Sequence, residues 1–194
     1  MYDAAPMADN DVLYQGLRKM CMALQGMRRN PVVIGALAQQ AWGVAAEAVG
    51  VDLLIPAGEE HRQSIFGAAR GEGIQQATET PILTRDKTAT LRFKYREAGG
   101  EVGIDLLEAS TPYLAQVHKR ASERGVMKLP LPTATVEDLI LMRALSGLAA
   151  DHAAMVALLR HHAGRMDAPY VKKEAEAAGV MDKVKAAWGE ARSG

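Results

Sequence analysis

Cysteine is almost missing from this chain of 194 residues, where Cys21 stands alone. It cannot close an intrachain disulfide, so nothing demands an oxidising compartment. Cys21 also falls inside an apolar helical pattern, which reads as a small buried hydrophobe rather than a nucleophile. Aromatic residues are scarce at 5%, which argues against stacking platforms for single-stranded nucleic acid. Net charge is absent, because 23 basic side chains balance 23 acidic ones. No overall field therefore attracts nucleic acid or an anionic membrane, and such a partner needs a local patch. No segment approaches the roughly 18 uninterrupted apolar residues of a spanning helix, so no membrane is expected as partner. The first residues carry Asp3, Asp9 and Asp11 without a basic-then-apolar run. A secretory signal is not expected there, and a cytoplasmic location is.

What remains is an ordinary globular composition, 48% hydrophobic and 24% charged, with 10 methionines. Small and aliphatic side chains must build the core, many of them on helices. From Asp9 to about Arg29, Leu13, Leu17, Met20, Leu24 and Met27 recur at spacings of four and three, the stripe of an amphipathic helix capped near Asp9 or Asn10. Asn30-Pro31 stops it. Val32-Val33-Ile34-Gly35 then reads as a short buried strand ending in glycine, followed by a helix from Ala36 to Trp42. Val51-Asp52-Leu53-Leu54-Ile55-Pro56 is a second strand, apolar enough to be covered on both faces.

Glu59 to about Arg70 is helical in composition, closed by Gly71-Glu72-Gly73. Pro81 to Thr84, Thr88 to Tyr95 and Val102 to Leu107 alternate like a β-meander, with a turn at Gly99-Gly100. Beyond Leu107 the pattern turns helical. Thr111 to about Arg124 is expected as one helix, Leu129-Pro130-Leu131-Pro132 as an extended joint, and Thr135-Val136-Glu137-Asp138 as the capping sequence of the next helix. Further helices are expected over 153–162, 168–178 and 181–191. The expected fold class is α/β (α+β), a mixed sheet with flanking helices followed by a C-terminal helical domain. Its parts are an N-terminal helix over 1–30, an α/β domain over 31–128 and a helical domain over 129–194.

Asp52 and Asp105 each interrupt an apolar strand, in matching Val/Ile-Asp-Leu-Leu contexts. An ionised carboxylate in such a place is costly unless it is paired, hydrogen-bonded or bound to a metal. Either aspartate alone is explained by a strand end facing solvent or by a nearby arginine. Two in matching contexts point to a shared site, and a carboxylate pair in an oxygen-rich setting suits Mg²⁺.

The order helix, Val33-Ile34-Gly35-Ala36, helix, Val51-Asp52-Leu53-Leu54-Ile55, helix, strands, Ile104-Asp105-Leu106-Leu107, then Val136-Glu137-Asp138-Leu139-Ile140 resembles the minimal nucleotidyltransferases, including toxins of the AbiEii type. The resemblance runs from about residue 10 to 180. It implies a nucleotidyltransferase-like sheet, Gly35 and Ala36 at the nucleotide, and Asp52 and Asp105 as catalytic metal ligands for Mg²⁺. The family's chemistry is phosphoryl transfer in which acids hold the metals and glycine amides receive phosphate oxygens. Its first acid falls at Gly50, its small polar residue at Ala36, and its usual Arg and Thr at Ala46 and Ala48. Two carboxylates then stand where the family uses three. Glu47 lies three residues upstream of Gly50, off the strand, and makes a poor substitute. Leu148-Ala149-Ala150-Asp151 resembles the family's helical tail, with His152 and Met155 as departures.

The expectation is accordingly a catalytically impaired nucleotidyltransferase-like protein that binds a nucleotide (NTP) or a protein partner, in a toxin–antitoxin or defence pair or as a homo-oligomer. The alternative is an active Mg²⁺-dependent enzyme moving a nucleotidyl group onto RNA, a protein or a small molecule. A third reading makes both aspartates ordinary structural residues of an unrelated α/β protein. Other candidates are weaker. His161-His162 near a helix end reads as a dipole partner rather than a metal site. Arg85, Lys87, Arg92, Lys94 and Arg96 read as a solvated strand face that reaches phosphate only if it borders the carboxylates.

Overall fold

A computed structural model describes residues 11–78, 80–83 and 88–193. The expected caps Asp9 and Asn10, and the basic residues Arg85 and Lys87, lie outside the described residues. Helix α1 spans Val12–Gly26, and its N-cap is Asp11, whose carboxylate accepts the Leu13 amide at 2.9 Å. Its stripe of Leu17, Met20, Cys21 and Leu24 is buried. Burial pushes the Cys21 thiol up to about 12, so it stays protonated and inert.

Strands β1 (Val32–Val33), β2 (Gly50–Pro56), β3 (Gln75–Gln76), β4 (Ile82–Leu83), β5 (Ala89–Glu97), β6 (Gly100–Ala109), β7 (Ser122–Val126) and β8 (Leu129–Thr133) form one mixed sheet. Its order is β3-β5-β6-β2-β1-β8-β7, with β4 also pairing β5. The centre is the parallel pair β2 and β6, in register from Gly50 opposite Gly103 to Pro56 opposite Ala109. β5 and β6 are a hairpin closing with Glu97 opposite Gly100, as the alternation and the Gly99-Gly100 turn predict. Alternation divides the faces: Leu91, Phe93, Tyr95, Val102, Ile104, Leu106, Val51 and Leu53 are buried, while Arg92, Lys94, Gly103 and Asp105 alternate with them on the more open face.

Helix α1 covers the buried face of β5 and β6. It comes close because Gly16 has no side chain: a Cβ there would lie 2.8 Å from Val102 Cγ1. Helix α3 (Arg62–Gly71) packs beside α1, with Phe66 tilted against Phe93 at 5.7 Å between ring centroids. Its Arg62 forks onto buried Glu108 with two hydrogen bonds of 2.8 Å.

Two expectations are corrected. The helix expected to run to about Arg124 is α4, Pro112–Arg120, and residues 122–126 turn back as strand β7. The extended joint at Leu129-Pro130-Leu131-Pro132 is strand β8, paired with β7 and parallel to β1. Prolines are tolerated because β8 meets β1 only at Thr133 opposite Val33, which leaves Pro130 and Pro132 outside that pairing. A Leu-Pro repeat carries little strand signal, and only the sheet edge makes it one.

Helices α5 (Val136–Ser146), α6 (Ala149–His162), α7 (Ala168–Ala177) and α8 (Met181–Ser193) follow. Thr135 caps α5 by accepting the Asp138 amide at 3.3 Å. Asp138 itself is fully buried. Its carboxylate accepts from Arg120 Nε at 3.1 Å, Thr135 Oγ1 at 2.8 Å and the Tyr170 hydroxyl at 2.6 Å. One carboxylate thereby ties α4, α5 and α7 together, and the Arg120 guanidinium stacks on the Tyr170 ring at 3.8 Å. Loss of the Asp138 carboxylate leaves two hydroxyls without their acceptor and Arg120 with only the Glu137 carboxylate, at 3.7 Å, among the described residues. Asp138→Ala is expected to destabilise the protein by about 3–5 kcal/mol, read as the shift in a urea denaturation midpoint. A change under about 1 kcal/mol would refute the network's role.

Candidate functional site

β1 is only two residues long and antiparallel to β2, and the Ile34 amide donates to the Asp52 carbonyl at 3.0 Å. The chain then turns at Gly35, whose φ of +67° favours glycine. A side chain there would also collide with the next strand, since a Cβ on Gly35 would lie 2.3 Å from Asp52 Oδ2. The glycine turn and the Asp52 carboxylate are thus in direct contact. Helix α2 (Gly35–Ala41) leads away from this turn.

Asp52 and Asp105 are register partners on the parallel strands β2 and β6. Side chains of paired residues point to the same face, on strands about 4.8 Å apart. The two aspartates and the glycine turn, far apart in sequence, therefore meet in one place. Gly50, two residues before Asp52, is on the same face and opposite Gly103. A Cβ on Gly50 would be 3.1 Å from the Gly103 carbonyl oxygen, so a larger residue needs only a small backbone shift. Ala36 follows Gly35 and lines a cleft of about 510 Å³ with Gln39, Ala46, Glu47, Val49 and Arg143. Glu47 is exposed on the wall of this cleft.

The two carboxylates differ in their partners. Asp105 is gripped by Arg92, directly opposite on β5, through two parallel hydrogen bonds of 2.8 Å from Nε and Nη2. Such a fork is the strong form of a guanidinium–carboxylate pair. Asp52 has no hydrogen-bond donor on its carboxylate among the described residues. Burial, then the neighbouring Asp105 charge, raise its pKa above the ordinary carboxylate value, and Arg143 and Arg92 oppose the rise.

Arg143 comes from α5 and is the cation the sequence did not single out. Its Nη1 donates to Asp151 at 2.7 Å, and buried Asp151 also accepts from Ser146 Oγ and the Leu148 amide. Asp151 thus holds Arg143 in place near Asp52. The signal available in advance was the single arginine in the apolar run Leu139 to Leu145. Arg92 was visible only as one of several strand cations, and its partner shows that the basic face does border the carboxylates. Lys94, opposite Gly103, has no acidic partner among the described residues, whereas Arg96 pairs with Glu101. Among the described residues no group of three or more His, Cys, Asp or Glu is placed to hold a metal ion. No helix among them is long and apolar enough to cross a membrane.

No protein-family model matches this sequence, and no curated protein resembles it significantly by sequence. Solved structures do share its shape. JHP933 from Helicobacter pylori superposes with a TM-score of 0.55 at 10% identity, over 93% of this chain and 89% of that one. A nucleotidyltransferase-like antigenic protein from Paracoccidioides brasiliensis gives 0.52 at 11% identity, over 92% and 95%. The antibiotic-resistance factor ANT(2'')-Ia gives 0.52 at 15% identity, over 92% and 90%. The fold is therefore that of the nucleotidyltransferases: a mixed sheet with flanking helices, followed by a helical segment. At such low identity the likeness establishes the fold, and function must be argued from the site.

Two outcomes follow from the Gly35–Asp52 contact. Gly35→Ala is expected to lower stability by at least about 1–2 kcal/mol, the cost of a left-handed conformation for a residue with a Cβ, with an unshifted urea midpoint as the refuting result. A carboxyl with a raised folded pKa binds more protons in the native than in the unfolded state. Its contribution is fully present below the ordinary carboxylate range and is lost as pH rises through the raised value. Asp52→Asn is expected to raise the melting temperature at pH 7, the gain shrinking as pH falls toward about 4. A lower melting temperature at neutral pH would show that the Asp52 charge is stabilising.

Proposed function

We propose that this is a nucleotidyltransferase-fold protein whose cleft beside Gly35 binds a nucleotide, and whose capacity for nucleotidyl transfer is impaired. The observation that carries this is the state of the acids. One carboxylate of the pair is closed by the Arg92 fork, and glycine stands at position 50, where a third would share the face.

Mg²⁺ is the metal such folds imply, and two-metal transfer needs carboxylates that can bridge. Asp52, lacking a donor, is a suitable oxygen ligand, but Asp105 must first leave a charge-assisted pair, and no third acid joins them. The donor set does not fit a two-metal centre. Nucleotide binding is instead supported by the cations around the pair: Lys94 without an acidic partner among the described residues, Arg92 beside Asp105, and Arg143 of α5, held by Asp151, on the wall of the cleft. Lys94 supplies positive charge that a triphosphate can use, and the cleft beside Gly35, of about 510 Å³, is of a size to admit a small ligand.

Calorimetry with ATP tests this directly. Binding is expected without added Mg²⁺, weakened about tenfold or more by Lys94→Ala, and unaccompanied by label transfer from α-³²P-NTP. Transfer that requires Mg²⁺ and disappears in Asp52→Ala would establish the alternative, an active enzyme acting on RNA, protein or a small molecule. Adjacent Asp52 and Asp105 favour that alternative to the extent that Arg92 can be displaced. Gly50→Asp with Ala36→Ser is expected to strengthen Mg²⁺ binding by supplying the missing oxygen ligand. A scaffold relieved of chemistry acts by binding, and an AbiEii-like role in a toxin–antitoxin or defence pair fits that description. Under it, capture of a protein partner from the native host should survive Asp52→Ala.

A further inference from the structure

A second cavity, of about 380 Å³, lies away from the carboxylates in the seam between the sheet edge and the helical segment. Trp42, at the end of α2, is its hub. The indole Nε1 donates to the Ala134 carbonyl at 2.8 Å, and the Trp42 carbonyl oxygen is 3.0 Å from His162 Nε2. The rings of Trp42 and His162 meet edge to face at 5.7 Å. Around this hub the walls carry Arg124 from the edge strand β7, Arg165 after α6, His161, and Glu137 from α5.

The charges of these walls are unevenly answered. The Arg124 guanidinium sits over the Trp42 ring, its Cζ 3.6 Å from the ring centroid. Arg165 Nη2 donates to the His161 carbonyl at 3.3 Å. Among the described residues neither arginine has a carboxylate partner. An aromatic face and a backbone carbonyl orient both cations without neutralising them. Glu137, the one acid of the wall, is already engaged by the Asp167 amide at 2.8 Å and by Arg120 at 3.7 Å. His162 is buried, and burial lowers its pKa, so it stays neutral and structural. His161 is exposed beside it, with the two rings 4.6 Å apart. Two unneutralised guanidinium groups with an imidazole beside them suit an anion that accepts several hydrogen bonds at once. The cavity is of the size of a small metabolite.

We propose that this seam is a binding site for a phosphomonoester anion, held by Arg124, Arg165 and His161. The site is independent of the nucleotide reading at Asp52 and Asp105. A ligand there bridges β7 to the end of α6, so it pins the helical segment to the sheet edge.

The test is a ¹H–¹⁵N titration of the full chain at constant ionic strength with inorganic phosphate, AMP and adenosine. Phosphate and AMP are expected to shift the amides of Trp42, Glu137, His161 and Arg165 saturably and to compete with each other, while adenosine does neither. Each of Arg124→Gln and Arg165→Gln is expected to weaken binding about tenfold or more. Both side chains are exposed, so the variants should fold, as an unchanged spectrum elsewhere would show. Asp52→Ala should leave these shifts intact, which separates this site from the cleft. No saturable shift in the seam, binding that survives loss of both arginines, or adenosine binding as tightly as AMP would each overturn the proposal.

Discussion

The parallel pairing of β2 with β6 sets two aspartates side by side in the middle of a sheet, and most of the surrounding structure answers that placement. Two like charges at neighbouring register positions repel, and partial burial strips water from one of them. The response is asymmetric. Asp105 receives a bidentate arginine from the next strand. Asp52 keeps a carboxylate with no hydrogen-bond donor among the described residues, pressed against a glycine turn that has room for nothing larger. The electrostatic strain of the arrangement is confined to one face, because α1 covers the opposite face of β5 and β6.

The helical segment is part of this arrangement and not an appendage. Buried Asp138 gathers α4, α5 and α7, which fixes α5 against the sheet. That position in turn sets Arg143, whose charge acts on Asp52, with Asp151 holding the guanidinium. Buried carboxylates thus serve two ends: one fastens helices, and another aims a cation. Because a half-satisfied buried charge costs more than none, each of these networks is complete among its own members.

A fold shared at 10–15% identity with the solved structures says that this backbone accommodates very different surfaces. Here a carboxylate pair stands beside a glycine turn, and an arginine takes up half of its oxygens. Charge compensation by guanidinium and charge compensation by a divalent cation are alternatives for the same oxygens. The seam around Trp42 has the reverse character, two arginines without a carboxylate partner among the described residues, although α2, α5 and α6 contribute to both sites.

Much was legible in one dimension. The 3–4 spacing of Leu13 to Met27 specifies α1, the alternation from Ala89 to Leu107 specifies a hairpin, and Thr135 with Asp138 specifies the start of α5. Each signal is local, a periodicity or a cap that depends on residues within one or two turns. The two aspartates were visible as anomalies for the same reason: their immediate neighbours are apolar. The Leu-Pro repeat at 129–132 was not legible as a strand, because its pairing with β1 and β7 joins residues far apart in sequence or supplied by a turn. Nor was the grip of Arg92 on Asp105, or the arrival of Arg143 beside Asp52. Periodicity places a side chain on a face; which charge it meets there depends on strand order and helix docking, and those are decided by long-range packing.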